Sequence, residues 1–292
     1  MVDVSIAIIC DKIRQPQLDR LLYSLKDQLR FYACEVLLLQ ESDVELTAPD
    51  LPVNVKYFTI PARQGIAFNR NKCIEFSSGK IIVYIDDDCW VQEKWLKSLV
   101  SLLLEDSTLM AVTSGTKIPQ SNFLGDCISA LGFPGGGSLG FEKVWKVSSE
   151  GYTNHLAVGN CALRRDVFEI IGRFDEEMKN GAEDAELSVR LERGGFPIKY
   201  VPEGFAYHEA RRTWKSFVQW QLRRGRANYH FKRKVGGMMV GGFIKLRLWS
   251  AKNIVKQNLL SIRLPVILFV LFCSLILQQW GYWKERRKCS IE

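Results

Sequence analysis

Residues 84–90 read YIDDDCW, so Asp86, Asp87 and Asp88 stand in a row directly after the apolar run KIIVYI. Adjacent carboxylates repel one another, and the end of a strand gains no stability from them. A second acidic pair, Glu183 and Asp184, lies in the glycine-containing stretch NGAED, and His208 follows about two dozen residues later in FAYHE. Closely spaced carboxylates with one imidazole suit a divalent cation such as Mg2+ or Mn2+, which takes oxygen ligands and keeps positions open for phosphate. A cation held this way neutralises a diphosphate leaving group, while a separate carboxylate takes the proton of an attacking hydroxyl. Each piece also has a plain structural reading: a solvated turn, a helix-dipole complement for Glu183-Asp184, a strand-end imidazole. Their order along one chain favours the chemistry.

The surrounding pattern has to position these groups. VSIAIIC (4–10), CEVLLLQ (34–40), VNVKYFTI (53–60) and KIIVYIDDD (80–88) read as strands. Helical spacing covers 16–29, with Leu18, Leu21, Leu22, Leu25 and Leu29 on one side, then 66–79 closed by Gly79, and a stretch around 93–104. Near-continuous Val/Ile/Leu strands alternating with helices predict a parallel sheet covered on both faces. Ligands of such sheets bind at the carboxyl ends of the strands, which is where the Asp run falls. MAVTSGTKIP predicts a further strand, LGFPGGGSLGFEKVW (131–145) an active-site loop, Asp184 to Arg193 a helix, and FPIKYVP a last strand with His208 just beyond it.

Composition bounds the rest. The 292 residues are 47% hydrophobic and 25% charged, an ordinary globular balance with room for one large or two small domains. Eight cysteines without a CxxC pair read as buried hydrophobes in a reducing compartment, and no secretory signal opens the chain, so a cytosol-facing protein is expected. The net charge of +8 is unevenly spread: from Arg211 onward 18 Lys and Arg face 2 acids, whereas the first 210 residues carry 22 basic against 30 acidic side chains. FIKLRLWSAKNIVKQNLLSIR (243–263) mixes Leu, Ile and Trp with Lys and Arg and no acid, the composition of a basic helix on a membrane surface. It runs into an apolar stretch, Leu264 to Leu277, of only 14 residues. That stretch reaches the roughly 20 residues of a span only through Gln278, Gln279 and the Trp280–Trp283 aromatics. A single span, an interfacial anchor and a soluble core helix all remain open, and a membrane rather than nucleic acid explains the basic tail.

Two long blocks, GIAFNRNKCIEFSSGKIIVYIDDDCWVQEKWL and GNCALRRDVFEIIGRFDEEMKNGAEDAELSVRLERGGFPIKYVPEGFAYHE, together with the opening VSIAIICDKIRQPQLDRLLYSLKDQ, resemble glycosyltransferase family 2, the inverting enzymes of the GT-A fold. The likeness covers Val4 to about His208, with a looser extension to Gly225. It implies an α/β, Rossmann-like nucleotide-diphospho-sugar transferase fold with a C-terminal membrane-associated helical segment. The transferase domain would occupy 1–230, a nucleotide-binding half to about 115 and an acceptor half from 116. A basic interfacial segment (231–263), an anchoring or spanning helix (264–283) and a basic tail (284–292) would follow.

The resemblance also implies roles. Asp88, Asp86 and His208 would hold Mg2+ or Mn2+. Cys10, Glu41, Arg70, Asp86 and Asp87 would face a UDP- or GDP-type nucleotide sugar. Asp184 would be the catalytic base with Glu183 beside it, and Gly159, Asn160, Gln221 and Arg224 would lie on the acceptor side. Two positions depart from the family. The second strand ends in Gln40-Glu41 where the family places an Asp pair that reads the base. QWQLRRGR keeps Gln221 and Arg224 of the QxxRW motif of processive members but has Gly225 in place of its Trp. With one possible span, transfer of a single sugar to a lipid-linked or glycan acceptor at the cytosolic membrane face is expected. Two rivals are a sugar-phosphate nucleotidyltransferase, disfavoured because IAIICDKIRQPQ lacks a glycine-rich phosphate loop, and a catalytically degenerate membrane scaffold of a glycan-assembly complex.

Overall fold

A computed structural model of the chain describes residues 2–10, 15–41 and 47–290, and of residues 237–243 the backbone alone. Strands β1 (Val4–Cys10), β2 (Cys34–Glu41), β3 (Asn54–Ile60) and β4 (Ile81–Asp86) alternate with helices α1 (Gln15–Leu25) and α2 (Ile66–Phe76). Next come β5 (Cys89–Val91), α3 (Trp95–Glu105), β6 (Ala111–Thr113), β7 (Thr116–Lys117), α4 (Phe123–Ser129), α5 (Phe141–Val144) and β8 (Tyr152–Thr153). After these lie β9 (Asn160–Arg164), α6 (Val167–Ile171), α7 (Glu183–Arg193), β10 (Ile198–Tyr200) and β11 (Ala206–His208). Three long helices end the chain: α8 (Trp214–Val235), α9 (Gly237–Asn258) and α10 (Leu264–Lys288).

One eight-stranded sheet has the order β3-β2-β1-β4-β9-β6-β10-β8. Its first four strands pair parallel, as their apolar runs predict. The sheet is mixed, however: β9 lies antiparallel between β4 and β6, and β8 antiparallel on β10. The pleat sends alternate side chains to opposite faces. Val4, Ile6 and Ile8 therefore join Leu18, Leu21, Leu22 and Leu25 of α1 and Trp95, Leu96 and Leu99 of α3 in one core, while Ala7, Ile82 and Tyr84 pack with Ile74, Phe168 and Leu187 in the other. The two expected halves thus share one sheet, because β8, β9 and β10 of the second continue that of the first.

A three-stranded sheet, β5-β11-β7, sits beside the large one. The segment expected as one strand after α3 breaks at Ser114-Gly115 into β6 and β7, which serve different sheets. FPIKYVP is not the last strand either: β11 follows it and contains His208. Helices α1 and α2 stop at Leu25 and Phe76, short of their expected ends, and β4 stops at Asp86, leaving Asp87 and Asp88 in the turn to β5.

The tail helices are docked on the body. A third core gathers Cys127, Ile128 and Leu131 with Phe217 of α8, Ile254 of α9 and Ile267 and Val270 of α10. Helices α8 and α10 approach so closely that a Cβ on Gly225 would land on the Gln278 carbonyl oxygen, and one on Gly281 on the Leu222 carbonyl oxygen. Glycine at 225, the departure from the processive motif, is what admits α10. The helix has 25 residues and is long and apolar enough, by length and composition, to cross a membrane. The expected interfacial helix begins at Gly237, earlier than its sequence pattern, and the expected basic tail is described as far as Ser290.

Candidate active site

The carboxyl ends of the parallel strands form one edge. Register pairs Ile9 with Asp86 and Cys10 with Gln40, so Cys10, Gln40, Glu41 and Asp86 all lie along it. Glu41 Oε1 accepts the Arg63 backbone N–H at 3.2 Å. Gln40 Oε1 is buried and lacks a hydrogen-bond partner among the described residues. A buried carbonyl left this way is costly unless something donates to it, and a ligand N–H meets that need.

At the β4 end, Gly159 abuts Asp86 so closely that a Cβ would overlap its carboxylate. Asp87 is buried in the turn that follows. Register across the small sheet pairs His208 with Cys89, which sets the imidazole beside Asp88. His208 Nε2 lies 3.2 Å from Asp88 Oδ1, and His208 Nδ1 is 2.7 Å from the Glu209 carbonyl. That carbonyl can only accept, so Nδ1 carries the hydrogen and the Nε2 of a neutral ring turns its lone pair toward the carboxylate. Two facing acceptors are the donor set a divalent cation takes, and the second hydrogen bond that fixes the ring is the usual support of a metal-bound histidine. The pair fits a cation. Cys89 Sγ is near both, and burial, with Asp86, Asp88 and Asp87 acting the same way, raises its thiol well above the ordinary range. Asp86 is not among the atoms that cluster with Asp88 and His208.

The acidic pair stands at the first turn of α7. Gly181 and Ala182 hold φ values of +113° and +68°, an abrupt turn that drops Glu183 inward and leaves Asp184 half-buried. Left-handed backbone at an alanine costs on the order of 1 kcal/mol, and such strain gathers where a site needs it. Glu183 is ion-paired to Arg70 of α2, and both are buried. Burial raises the Glu183 carboxyl above its ordinary range, Arg70 opposes the shift and Asp184 adds to it. Burial acts to lower the Arg70 guanidinium, yet Glu183, Asp86 and Asp184 together hold it up. Arg70 therefore braces the acidic pair, and its field also reaches Asp86 at the carboxyl end of β4. Asp184 Oδ1 accepts the Ala185 N–H at 2.7 Å, which fixes the carboxylate's rotation.

The acceptor-side expectations divide. Asn160 is fully buried and braces the floor: it accepts from Trp95 Nε1 at 2.8 Å and donates to the Gly115 and Gly204 carbonyls at 2.8 and 3.0 Å. Gln221 is also fully buried, in the α8–α10 contact, where Gln278 Nε2 and Ser274 Oγ donate to its Oε1 at 2.8 and 3.2 Å. Arg224 lies with its guanidinium 3.9 Å from the centre of the Phe133 ring and 5.2 Å from that of Trp220, its pKa lowered to about 9 by burial and by Arg247. Phe133 belongs to the glycine-rich loop, which is wound tightly onto β7 through Thr116: the Thr116 N–H donates to the Gly135 carbonyl and Oγ1 to the Pro134 carbonyl, both at 2.7 Å.

One group escaped the sequence reading. His155 is buried and stacked on Trp145 with ring centres 3.5 Å apart, and Phe133 meets Trp145 edge-on at 6.2 Å. Burial holds the His155 imidazole down at about 4, with Asp184 pulling it up and Arg224 pushing it further down. The His155 ring thus lies within electrostatic reach of Asp184. Phe133 and Trp145 lie in the stretch 131–145 expected as an active-site loop, whereas His155, in the loop after β8, carries no sequence signal.

Residues 6–171 match the family model for glycosyl transferase family 2. The chain is 26% identical over 190 residues to the succinoglycan biosynthesis protein ExoM of Rhizobium meliloti, covering 62% of this chain and 56% of that protein. It is 26% identical over 163 residues to the glycosyltransferase AglE of Haloferax volcanii, covering 54% and 49%. The chain therefore spans about half the length of these relatives. Among solved structures, a mannosyltransferase from Pyrobaculum calidifontis in complex with GDP-Man and Mn2+ aligns over 98% of this chain and 85% of its own, at 15% identity and a TM-score of 0.56. GalNAc-T7 with UDP, GalNAc and Mn2+ aligns over 72% of this chain and 43% of its own, at 17% identity and a TM-score of 0.52. Both likenesses are of fold, and the fold is GT-A.

Proposed function

This chain belongs to glycosyl transferase family 2, and we propose that it is a metal-dependent, inverting transferase of the hexosyl type. It moves one sugar from a UDP- or GDP-type nucleotide sugar to a hydroxyl or phosphate of a lipid-linked or glycan acceptor, at the cytoplasmic face of a membrane. The observation that carries the reading is that one buried guanidinium, Arg70, feels both acidic centres: it is ion-paired to Glu183 beside Asp184, and its field reaches Asp86 at the end of the strand that leads to the Asp88–His208 pair. The complexes of the two structural neighbours with UDP or GDP-Man and Mn2+ support both the nucleotide class and the cation.

Asp88 and His208, with Asp86 nearby, are the residues to hold Mg2+ or Mn2+, whose positive charge, when bound, offsets that of a departing diphosphate. The chain's own residues supply the other half of the reaction. Asp184 takes the proton of the acceptor hydroxyl as that oxygen bonds to the anomeric carbon, and the carbon–oxygen bond to the nucleoside diphosphate breaks. A single displacement from the opposite face inverts the anomeric centre. Glu183, tied to Arg70, is held out of that proton transfer and fixes the start of α7. At the strand edge, Cys10, Gln40 and Glu41 bound the base, and Gln40 Oε1 awaits a donor there.

The test is release of nucleoside diphosphate from a panel of UDP- and GDP-sugars with Mn2+, by the parent and by Asp184→Asn. Removing a general base costs about 10²–10⁴ in rate, so Asp184→Asn keeps its Mn2+-dependent nucleotide binding and loses turnover. Equal turnover in the two proteins rejects the assignment. Absence of both binding and turnover in the parent favours a non-catalytic scaffold.

A further inference from the structure

Helix α10 has two unlike faces. Ile267, Val270, Ser274, Gln278 and Gly281 form a buried stripe along nearly its whole length. On the other side Phe269, Phe272, Ile276, Trp280 and Trp283 are exposed, and Leu260, at 103% exposure, leads into them from the preceding turn. Exposed aromatic and aliphatic side chains on this scale call for an apolar partner.

Both ends of the helix are tied to the polar body. Arg263 pairs with Asp126 of α4 at 3.0 Å, and Glu285 with His230 of α8 at 3.0 Å. Between these ties Ser274 and Gln278 bond Gln221, and Gly281 seats against α8. The ties are 22 residues apart, about 33 Å at 1.5 Å per residue, which is the thickness of a bilayer's hydrocarbon core. A crossing α10 would carry Asp126, Gln221, His230 and the charged flank of α8 through that core. Asp126, Gln221 and His230 have partners within the protein, but Arg223 and Arg233 of α8 are exposed, and charged side chains that face lipid are excluded from that core.

We propose that α10 lies in the plane of an anionic lipid bilayer, sunk to half its thickness in the interface, and does not cross it. The occupant of the exposed face is the bilayer itself, as charge complementarity indicates: exposed Lys245, Lys252, Lys256, Lys284, Arg286 and Lys288 rim the apolar face, and Trp280 and Trp283 supply aromatics suited to the head-group level. The inference rests on the membrane part of the function proposed above and commits that part to one geometry, with the catalytic crevice and the C-terminus on the same side.

The experiment uses the full chain with a C-terminal epitope, added to sealed vesicles of neutral phosphatidylcholine alone or with one-third phosphatidylglycerol. Expected are flotation with the anionic vesicles at least tenfold above the neutral ones, full access of protease to the epitope, and loss of flotation of at least tenfold in Phe269→Glu/Phe272→Glu. Mn2+-dependent nucleotide binding of that variant stays at the parent level, which shows that it folds and separates this test from the transferase assignment. An epitope protected inside the vesicle after reconstitution overturns the in-plane geometry. Absence of flotation together with concentration-dependent dimerisation, abolished by the same double substitution, assigns the face to a second copy of the chain instead.

Discussion

Arg70 of α2 and Glu183 of α7 stand 113 residues apart in sequence and close on each other as a buried ion pair. The contact joins the helix that precedes the Asp-run strand to the helix that begins with the acidic pair. Any shift of α2 is therefore passed directly to the backbone that carries Asp184.

Breaking this pair from one side leaves a buried charge without its partner, which costs about 3–5 kcal/mol. Arg70→Met is expected to lower stability by that amount, whereas Arg70→Met/Glu183→Leu recovers most of it while still failing to turn over. Urea unfolding of the two singles and the double decides the matter. Additive losses would mean that the two side chains are not coupled in the folded protein.

His208→Ala and Asp88→Asn are each expected to abolish the extra thermal stabilisation that Mn2+ gives in the presence of UDP or GDP. A ligand at about a hundred times its dissociation constant contributes roughly 2.7 kcal/mol, so the lost shift is several degrees. Cys89→Ser, by contrast, leaves the metal response in place, because Mg2+ and Mn2+ favour carboxylate oxygens over thiolate sulfur. Differential scanning fluorimetry with and without EDTA reads all three.

His155 gives the fold an acid limit. Its folded pKa, held at about 4 by burial, lies below the ordinary 6.5, so the unfolded chain takes up the proton first as pH falls. The stability it contributes is complete above about pH 6.5 and is lost as pH drops toward 4. At 1.36 kcal/mol per pK unit the loss is about 3 kcal/mol. Asp184 and Arg224 face the same ring with opposite charges. His155→Phe keeps the stacking on Trp145 and is expected to flatten the decline between pH 6.5 and 4, measured as the difference in urea midpoint from the parent at each pH.

Gly225→Ala places a methyl group on the Gln278 carbonyl and pushes α10 off α8. Overpacking of this kind costs about 1–3 kcal/mol. The expected sign is faster amide hydrogen exchange in α10 with unchanged exchange in β1 and β4, and unchanged nucleotide binding. A tryptophan here, which would restore the processive motif, has no room while α10 is seated.

Much of the scaffold was legible because it rests on local pattern. β1, β2 and β4 are near-continuous runs of Val, Ile and Leu, and Gly181 marks the turn into α7. The antiparallel β9 was not legible: five residues that open on Asn160, end in Arg164 and lie between Gly159 and Arg165 carry no strand signal of their own, and their state is decided by the β4 and β6 edges they fill. Asp86–Asp88, Glu183, Asp184 and His208 declared themselves by residue type. Asn160 and Gln221 were assigned to the acceptor side from their place in a motif, yet the Asn160 amide and the Gln221 carbonyl oxygen are taken up by internal hydrogen bonds that no sequence reveals. His155 stayed hidden for the converse reason, since a lone histidine in a loop looks like any other until Trp145 is seen against it.

The small sheet that sets His208 beside Asp88 draws its strands from 89–91, 116–117 and 206–208. About 120 residues separate the two side chains, so closing that loop is among the most entropically demanding contacts in the catalytic body. The cation pair comes together only when β11 pairs with β5. A nascent chain shorter than about 208 residues has no such pair, and a partly opened one loses it early. Metal affinity in this protein thus doubles as a gauge of whether the last strand has docked, and manganese, added to a refolding mixture, should favour the chains that have finished over those that have not.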